Sequence, residues 1–150
     1  MSRRALLDVN VLIALFDADH VHHEIAHDWF EEHRETGWAT CPLTENGFVR
    51  ILSRPASGDE HTRAPELVDR LRRFCASGHH EFWPDSISLL DERLFNTALV
   101  RGHKHLTDIY LLGVAVKRGG CLVTLDRNIR LGAVKGARRD SIVIVSPAAD

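Results

Sequence analysis

Cysteine is scarce in this sequence, and the cysteines that are present form no recognisable pair. The 150 residues contain only three, widely spaced and without a Cys-x-x-Cys motif: Cys41, Cys75 and Cys121. An odd number of isolated cysteines argues against a disulfide framework. We therefore predict free thiols in a reducing compartment.

Long apolar runs are also absent. No segment approaches the roughly 18 consecutive apolar residues of a membrane span. Near the start, Asp8 and Asn10 interrupt the apolar run before a signal-peptide core can form. These absences predict a cytoplasmic protein without a membrane partner.

The chain also lacks a large excess of positive or negative charge. Lysine and arginine number 19 against 21 aspartates and glutamates, which gives a net charge of −2 with neutral histidines. This balance excludes a globally basic nucleic-acid coat, although it allows a local basic surface beside an acidic pocket. The chain has 44% hydrophobic and 27% charged residues and no internal repeat or linker, so residues 1–150 are predicted to form a single globular domain.

Short apolar runs alternate with amphipathic segments along the chain. The predicted strands are residues 5–8, 37–41, 81–83, 121–125 and 141–145. The predicted helices are residues 9–16, 21–34, 44–52, a segment that begins at Pro65, 89–100 and 107–118, with an exposed loop at 53–63. Right-handed crossovers place helices on both faces of a parallel sheet. The pattern therefore predicts a three-layer α/β/α fold with a central parallel sheet of about five strands.

Four acidic residues fall where such a sheet places its ligands. Asp8 and Asp126 end two predicted strands, while Glu45 and Asp108 lie in the first turns of two predicted helices. Ligands of open α/β sheets bind beyond the carboxyl ends of the strands, so we expect the four carboxylates to face one end of the sheet. Each acid alone could instead cap a helix or close a turn. Capping does not explain acids at all four positions.

Converging carboxylates without matching lysines repel one another unless a divalent cation neutralises them. Ligand sets made of oxygen atoms suit Mg²⁺ or Mn²⁺ rather than Zn²⁺. Such a site supports phosphodiester hydrolysis, in which metal ions activate a water and stabilise the leaving oxygen. Asn10 and Thr124 are placed to orient ligands or water nearby.

Four sequence blocks, taken in order, resemble the signature blocks of PIN domains. They are LDVNVLI at residues 7–13, TENGF at 44–48, LTDIYLL at 106–112 and VTLD at 123–126. More narrowly, the chain resembles the VapC-type ribonuclease toxins of bacterial toxin–antitoxin pairs. The resemblance implies a Mg²⁺- or Mn²⁺-dependent endoribonuclease that acts on RNA, a homodimer, and a small antitoxin protein that blocks the active site.

The resemblance also assigns roles to individual residues. It places the catalytic and metal-binding acids at Asp8, Glu45, Asp108 and Asp126, with Asn10 and Thr124 as supporting polar residues. Where some family members carry a further acid, this chain has Asn128. For the homodimer, we expect apolar residues such as Phe48 and Leu52 to be left uncovered by one small core. We also expect an antitoxin to engage the acidic pocket with a basic side chain.

A competing motif lies at residues 23–27, which read HEIAH and match the zinc-protease pattern HExxH. His33 even occupies the third histidine position of the longer pattern. However, that pattern requires glycine where Phe30 stands, and it requires a downstream methionine turn, whereas the only methionine is Met1. We therefore interpret these residues as a solvated helix face, while a two-histidine site completed by a distant acid stays open.

Basic residues cluster directly after Asp126, at Arg127, Arg130, Lys135, Arg138 and Arg139. With two intervening glycines, this segment is predicted to be a flexible basic loop that holds RNA phosphates beside the metal site, with Arg127, Arg130 and Lys135 as candidate contacts. A loop whose charges serve solubility is the alternative. Two other functions stay open, a DNA-cleaving phosphodiesterase and a catalytically weak PIN-fold module that binds protein.

Overall fold

The computed structural model describes residues 3–54 and 63–147. Within these residues, five strands form one parallel sheet, ordered β3-β2-β1-β4-β5. The strands are β1 (Ala5–Leu7), β2 (Trp38–Thr40), β3 (His80–Phe82), β4 (Cys121–Thr124) and β5 (Ile142–Ile144). The α-helices are α1 (Val9–Phe16), α2 (His23–His33), α3 (Pro42–Leu52), α4 (Ala64–Cys75) and α5 (Leu106–Lys117). The predicted α/β architecture is confirmed.

The central strand β1 is buried on both faces. Leu7 packs into a core formed with α1 to α4, whereas Leu6 packs into a second core formed with α5. Successive side chains of a strand point to opposite faces, so an uninterrupted apolar run is what a strand between two helical layers requires. Helices cover both faces of the sheet, and this gives the three layers.

The strand order reverses direction at β1, which pairs with β2 on one side and β4 on the other. Ligands of open α/β sheets bind at such a switch point, outside the carboxyl ends of the strands. Asp8 directly follows β1, and Asp126 lies just beyond β4. The fold therefore brings both residues to the edge of the sheet where a ligand site is expected.

Phe48 is fully buried, contrary to our expectation that one core would leave it uncovered. Its ring meets the ring of Phe16 edge to face, with centroids 4.7 Å apart, where α3 crosses α1. Leu52 is half-buried and packs against the same core. These two residues therefore provide no exposed apolar face for a dimer.

Residues 89–100 do not form the predicted helix. They form turns and a short 3₁₀ segment, and Phe95 pairs with Val134 in an isolated antiparallel bridge. The Asn96 N–H donates to the Ala133 carbonyl at 2.9 Å, and the Lys135 N–H donates to the Leu94 carbonyl at 2.8 Å. Burial of Phe95 in the second core and these bonds take precedence over local helix propensity.

The same bonds correct the prediction of a flexible basic loop after β4. That segment is fixed through its backbone to residues 94–96, and Ala133 and Val134 are buried. Of the predicted loop at 53–63, residues 55–62 lie outside the described residues. In the part of the chain that the structure describes, no helix is both long and apolar enough to cross a bilayer.

Candidate active site

Asp8 is almost completely buried, with 3% of its surface exposed, at the junction of β1 and α1. Its N–H donates to the Val123 carbonyl at 2.9 Å, which extends the parallel pairing of β1 with β4. Its carboxylate accepts a hydrogen bond of 2.8 Å from Thr124 Oγ1 and, among the described residues, forms no side-chain cap on α1. Burial raises the pKa of the Asp8 carboxyl, and the Asp126 charge adds to this effect.

Thr124 links two of the aspartates. It ends β4, is fully buried, and accepts a hydrogen bond of 3.1 Å from the Asp126 N–H while donating to Asp8. Asp126 Oδ1 in turn accepts a bond of 2.8 Å from the Asn128 N–H. Asp126 therefore closes a turn, which is the alternative role that the sequence analysis considered for it. It also belongs to the group of carboxylates.

Asp108 lies in the first turn of α5, where the unpaired N–H groups and the helix dipole favour a negative charge. It is half-buried nevertheless, and this burial is the first cause that raises the pKa of its carboxyl to about 7. The charges of Asp8 and Asp126 are the next causes, followed by a contact with the Asp126 side chain. The charges of Asp8 and Asp126 thus disfavour the ionisation of Asp108, and a cation among the three carboxylates would relieve this repulsion.

His105 precedes α5 and contributes a nitrogen atom to the same place. Its Nδ1 lies 3.6 Å from Asp126 Oδ2. Three potential ligand atoms lie within 4.8 Å of one another, one each from His105, Asp108 and Asp126. This spacing could hold a metal ion. Among the described residues, His105 Nδ1 has no hydrogen-bond partner although it is buried.

Glu45 belongs to a different group of potential metal ligands from the one that contains Asp108 and Asp126. Its Oε2 accepts a bond of 2.7 Å from Thr40 Oγ1, and the Thr40 hydroxyl accepts a bond of 2.8 Å from His80 Nε2. Glu45, Cys75 and His80 thus form a separate group. Thr40 ends β2, the strand next to β1, and His80 is on β3 beyond it, so this group lies beside the end of the sheet where Asp8 follows β1.

The rotation of α3 about its axis turns Glu45 away from α1. On α3, the side turned to the core carries Thr44, Gly47 and Phe48. A Cβ atom on Gly47 would come within 2.9 Å of Val9 Cγ2, so the glycine allows α3 to approach the start of α1 closely. Two residues along a helix correspond to about 200° of rotation, so Glu45 lies nearly opposite Gly47.

The basic candidates lie in different environments. Arg127 and Arg130 are exposed, and Arg130 lines a cavity of about 230 Å³ beside His105. Arg101 lines the same cavity and was missed in the sequence, because it precedes Asp108 at a place where no motif marks it. Lys135 Nζ donates a bond of 2.7 Å to the Glu92 carbonyl, so it serves to hold the segment after β4. Asn10 is exposed, in the first turn of α1.

The histidines of the HExxH match bind backbone rather than metal. His23 Nδ1 donates to the Ala14 carbonyl at 2.6 Å, and His27 Nε2 donates to the Leu15 carbonyl at 3.1 Å. These carbonyls lie in the last turn of α1, where carbonyl groups have no hydrogen-bond partner within the helix. Within residues 3–54 and 63–147, neither histidine belongs to a converging group of three potential metal ligands. The helix face is therefore not simply solvated, as we had interpreted it.

Comparison with known proteins agrees with this fold. The PIN domain family model matches residues 5–135, so the chain belongs to the PIN-domain family. The chain is similar to ribonuclease VapC44 of Mycobacterium tuberculosis, with 44% identity over 139 residues that cover 93% of this chain and 97% of that protein. It is also similar to ribonuclease VapC39 of that organism, with 39% identity over 132 residues, 88% of this chain and 95% of the relative. The resemblance predicted from the four sequence blocks is confirmed.

Proposed function

We propose that this chain is a metal-dependent endoribonuclease and the toxin of a toxin–antitoxin pair. The observation that carries the proposal is the grouping of Asp108 and Asp126 at the switch point of the parallel sheet, where Thr124 links Asp126 to Asp8. The similar proteins named above are both ribonucleases, which supports RNA as the substrate rather than DNA. A PIN fold that serves only to bind protein would not need carboxylates so close together that neighbouring charges help to raise the pKa of Asp8 and of Asp108.

The residues present fit a divalent cation. Crowded carboxylates and an orphaned imidazole nitrogen are an unfavourable arrangement that a cation would stabilise, and oxygen ligands favour Mg²⁺ or Mn²⁺. Such a cation, when bound, would supply an activated water and neutralise charge on the leaving oxygen. We propose that Asp8, Asp108 and Asp126 hold it directly, while Glu45 belongs to the neighbouring group.

The neighbouring residues position the site and attract the substrate. Thr124 fixes the orientation of the Asp8 carboxylate, and Asn10 is available to water or substrate in the first turn of α1. Arg101 and Arg130, beside the cavity next to His105, would attract the phosphates that flank the cleaved bond. Arg127 is an exposed candidate for a further phosphate contact.

Its partners follow from the same proposal. A cytoplasmic ribonuclease toxin requires an inhibitor, and we propose a small antitoxin that places a basic side chain against the aspartates. A cation in that position would satisfy the repelling carboxylates in the absence of metal. We also propose a homodimer, although its surface cannot include Phe48, which is buried.

The proposal is tested by incubating the purified protein with total RNA and, separately, with single-stranded DNA. We expect RNA cleavage that EDTA abolishes and that Mg²⁺ or Mn²⁺ restores, while trace Zn²⁺ alone does not. Asp126→Asn serves as the inactive control. Cleavage that persists in EDTA, or in the Asp126→Asn protein, would contradict the proposed site, and cleavage of DNA alone would contradict the substrate.

A further inference from the structure

His105 carries a polar atom that needs a partner. Its Nδ1 is buried, and among the described residues it finds no hydrogen-bond donor or acceptor. Buried polar groups in proteins are almost always bonded, so an orphan of this kind calls for a ligand, an ion or an ordered water. The nearest charged atom is Asp126 Oδ2, at 3.6 Å.

That distance is too long for a hydrogen bond of ordinary strength. It is compatible with two donor atoms that bind the same ion, since each would lie roughly 2.0–2.6 Å from it. Asp108 contributes an oxygen atom to the same cluster, within 4.8 Å. His105 lies three residues before Asp108, a spacing that places both on one side of a helical turn.

We propose that His105 Nδ1 is a direct ligand of the cation that Asp8, Asp108 and Asp126 hold, and that this nitrogen makes the site select Mn²⁺ over Mg²⁺. The inference rests on the proposed function, because it concerns the same site. Mg²⁺ takes oxygen ligands and loses its waters reluctantly, whereas imidazole nitrogen is a ligand of transition metals. A ligand set of three carboxylates and one imidazole therefore favours the transition metal.

This ligand set differs from one made of four carboxylates in charge as well as in atom type. Glu45 binds Thr40 in the neighbouring group, and the third member of the group with Asp108 and Asp126 is the His105 imidazole. A neutral ligand in that place leaves one fewer negative charge around the cation. Mg²⁺ and Mn²⁺ carry the same charge, so charge alone does not distinguish them. They differ in their affinity for imidazole nitrogen, and the binding free energy of this site then depends more on that nitrogen.

The test measures metal binding rather than cleavage. Pulsed electron paramagnetic resonance of the full chain loaded with Mn²⁺ should detect the nitrogen coupling of a directly bound imidazole. Titrations with Mn²⁺ and with Mg²⁺ give the two dissociation constants. We expect His105→Gln to remove the coupling and to weaken Mn²⁺ binding by at least about tenfold, with a smaller change for Mg²⁺.

Two histidines serve as matched controls. His103 is exposed in the same short turn, and His80 belongs to the group that contains Glu45. We expect His103→Gln and His80→Gln to keep both the nitrogen coupling and the Mn²⁺ affinity. Loss of the coupling in His80→Gln but not in His105→Gln would overturn the proposal, since the metal would then bind in the other group.

The outcomes separate this inference from the proposed function. If the protein binds Mn²⁺ without nitrogen coupling, or with equal affinity for Mg²⁺, His105 is not the selective ligand and the inference fails while the carboxylate site stands. If Asp126→Asn binds Mn²⁺ as tightly as the unchanged protein does, the metal site of the proposed function fails as well. The coupling in the unchanged protein can be read without any variant, so a poorly folding His105→Gln protein does not prevent the decision.

Discussion

At the scale of single residues, the site depends on which partner satisfies each polar atom. The Thr124 hydroxyl donates its hydrogen to Asp8 and accepts one from the Asp126 N–H, so both of its roles are fixed. The Asp8 carboxylate is thereby held in one orientation before a metal binds. A site that is oriented in advance loses less entropy on binding its ligands.

The first prediction compares two acids, Asp126 and Glu45, to which the sequence analysis assigned the same catalytic and metal-binding role. Asp126→Asn should lower the rate of RNA cleavage by at least about 100-fold, the order of loss for one electrostatic group that stabilises a transition state. Glu45→Gln should retain metal binding and most of the activity, because Glu45 binds Thr40 in the separate group. Initial cleavage rates at saturating Mn²⁺ provide the measurement. Equal losses in both variants would restore the arrangement of four carboxylates.

The second prediction concerns the pH dependence of stability in EDTA. The Asp108 carboxyl has a pKa near 3.8 when unfolded and about 7 in the fold. Between these values the folded state binds the extra proton, so the free energy of unfolding should fall as the pH rises from about 4 to about 7. Asp108→Asn should show a weaker decrease and, above pH 7, a higher urea midpoint than the unchanged protein. Parallel pH profiles for the two proteins would contradict the assignment of this pKa.

At the scale of elements, the site depends on how each helix is rotated about its axis. Position along the chain places Glu45 in the first turn of α3, near the correct end of the sheet. Rotation then decides which residue meets α1, and Gly47 occupies that side, against Val9. The same rule explains α2, whose histidines reach the last carbonyls of α1 because His23 and His27 lie one turn apart.

The third prediction tests this link between α1 and α2. His23→Ala combined with His27→Ala removes two hydrogen bonds to carbonyls at the end of α1. We expect the free energy of unfolding to fall by about 1–3 kcal/mol, more than the roughly 0.5 kcal/mol typical of exposed positions. RNA cleavage by the folded protein, and its response to Mg²⁺ or Mn²⁺, should stay close to that of the unchanged protein. An inactive but folded double variant would revive the zinc hypothesis.

The elements most readily predicted were those whose pattern is decided locally. β1 and β4 are apolar runs that end near an aspartate, so both the strands and the positions of Asp8 and Asp126 could be read from the sequence. Residues 89–100 could not, because their backbone bonds go to residues 133–135, far along the chain. The role of His105 was equally hidden, since an absent partner becomes visible only in three dimensions.

At the scale of the whole molecule, the sheet order determines where the site forms. β1 lies between β2 and β4, and the two aspartates that follow β1 and β4 meet at the same edge. α5 packs on the second core and brings Asp108 to these carboxyl ends of the strands.

β3 is one of the two outermost strands of the sheet, and its Phe82 is exposed. Edge strands that remain uncovered favour association with another chain.

The fourth prediction concerns this association. We expect the protein to be a homodimer, with a mass by light scattering twice that of one chain at high micromolar concentration. We propose that the dimer surface includes exposed apolar residues such as Val68 and Phe82, whereas Phe48 is buried. A mass of one chain throughout the concentration range would rule out the dimer under these conditions.

The pairing of β1 with β4 has a consequence for synthesis on the ribosome. The Thr124 hydroxyl that orients Asp8 lies 116 residues further along the chain. Asp8 is therefore synthesised before Asp108 on α5, before its hydrogen-bond donor at the end of β4, and before Asp126, which follows β4. A nascent or truncated chain that ends before β4 lacks both Thr124 and Asp126, so it cannot complete the proposed cleavage centre. Synthesis of the chain therefore separates the making of Asp8 from the assembly of the site.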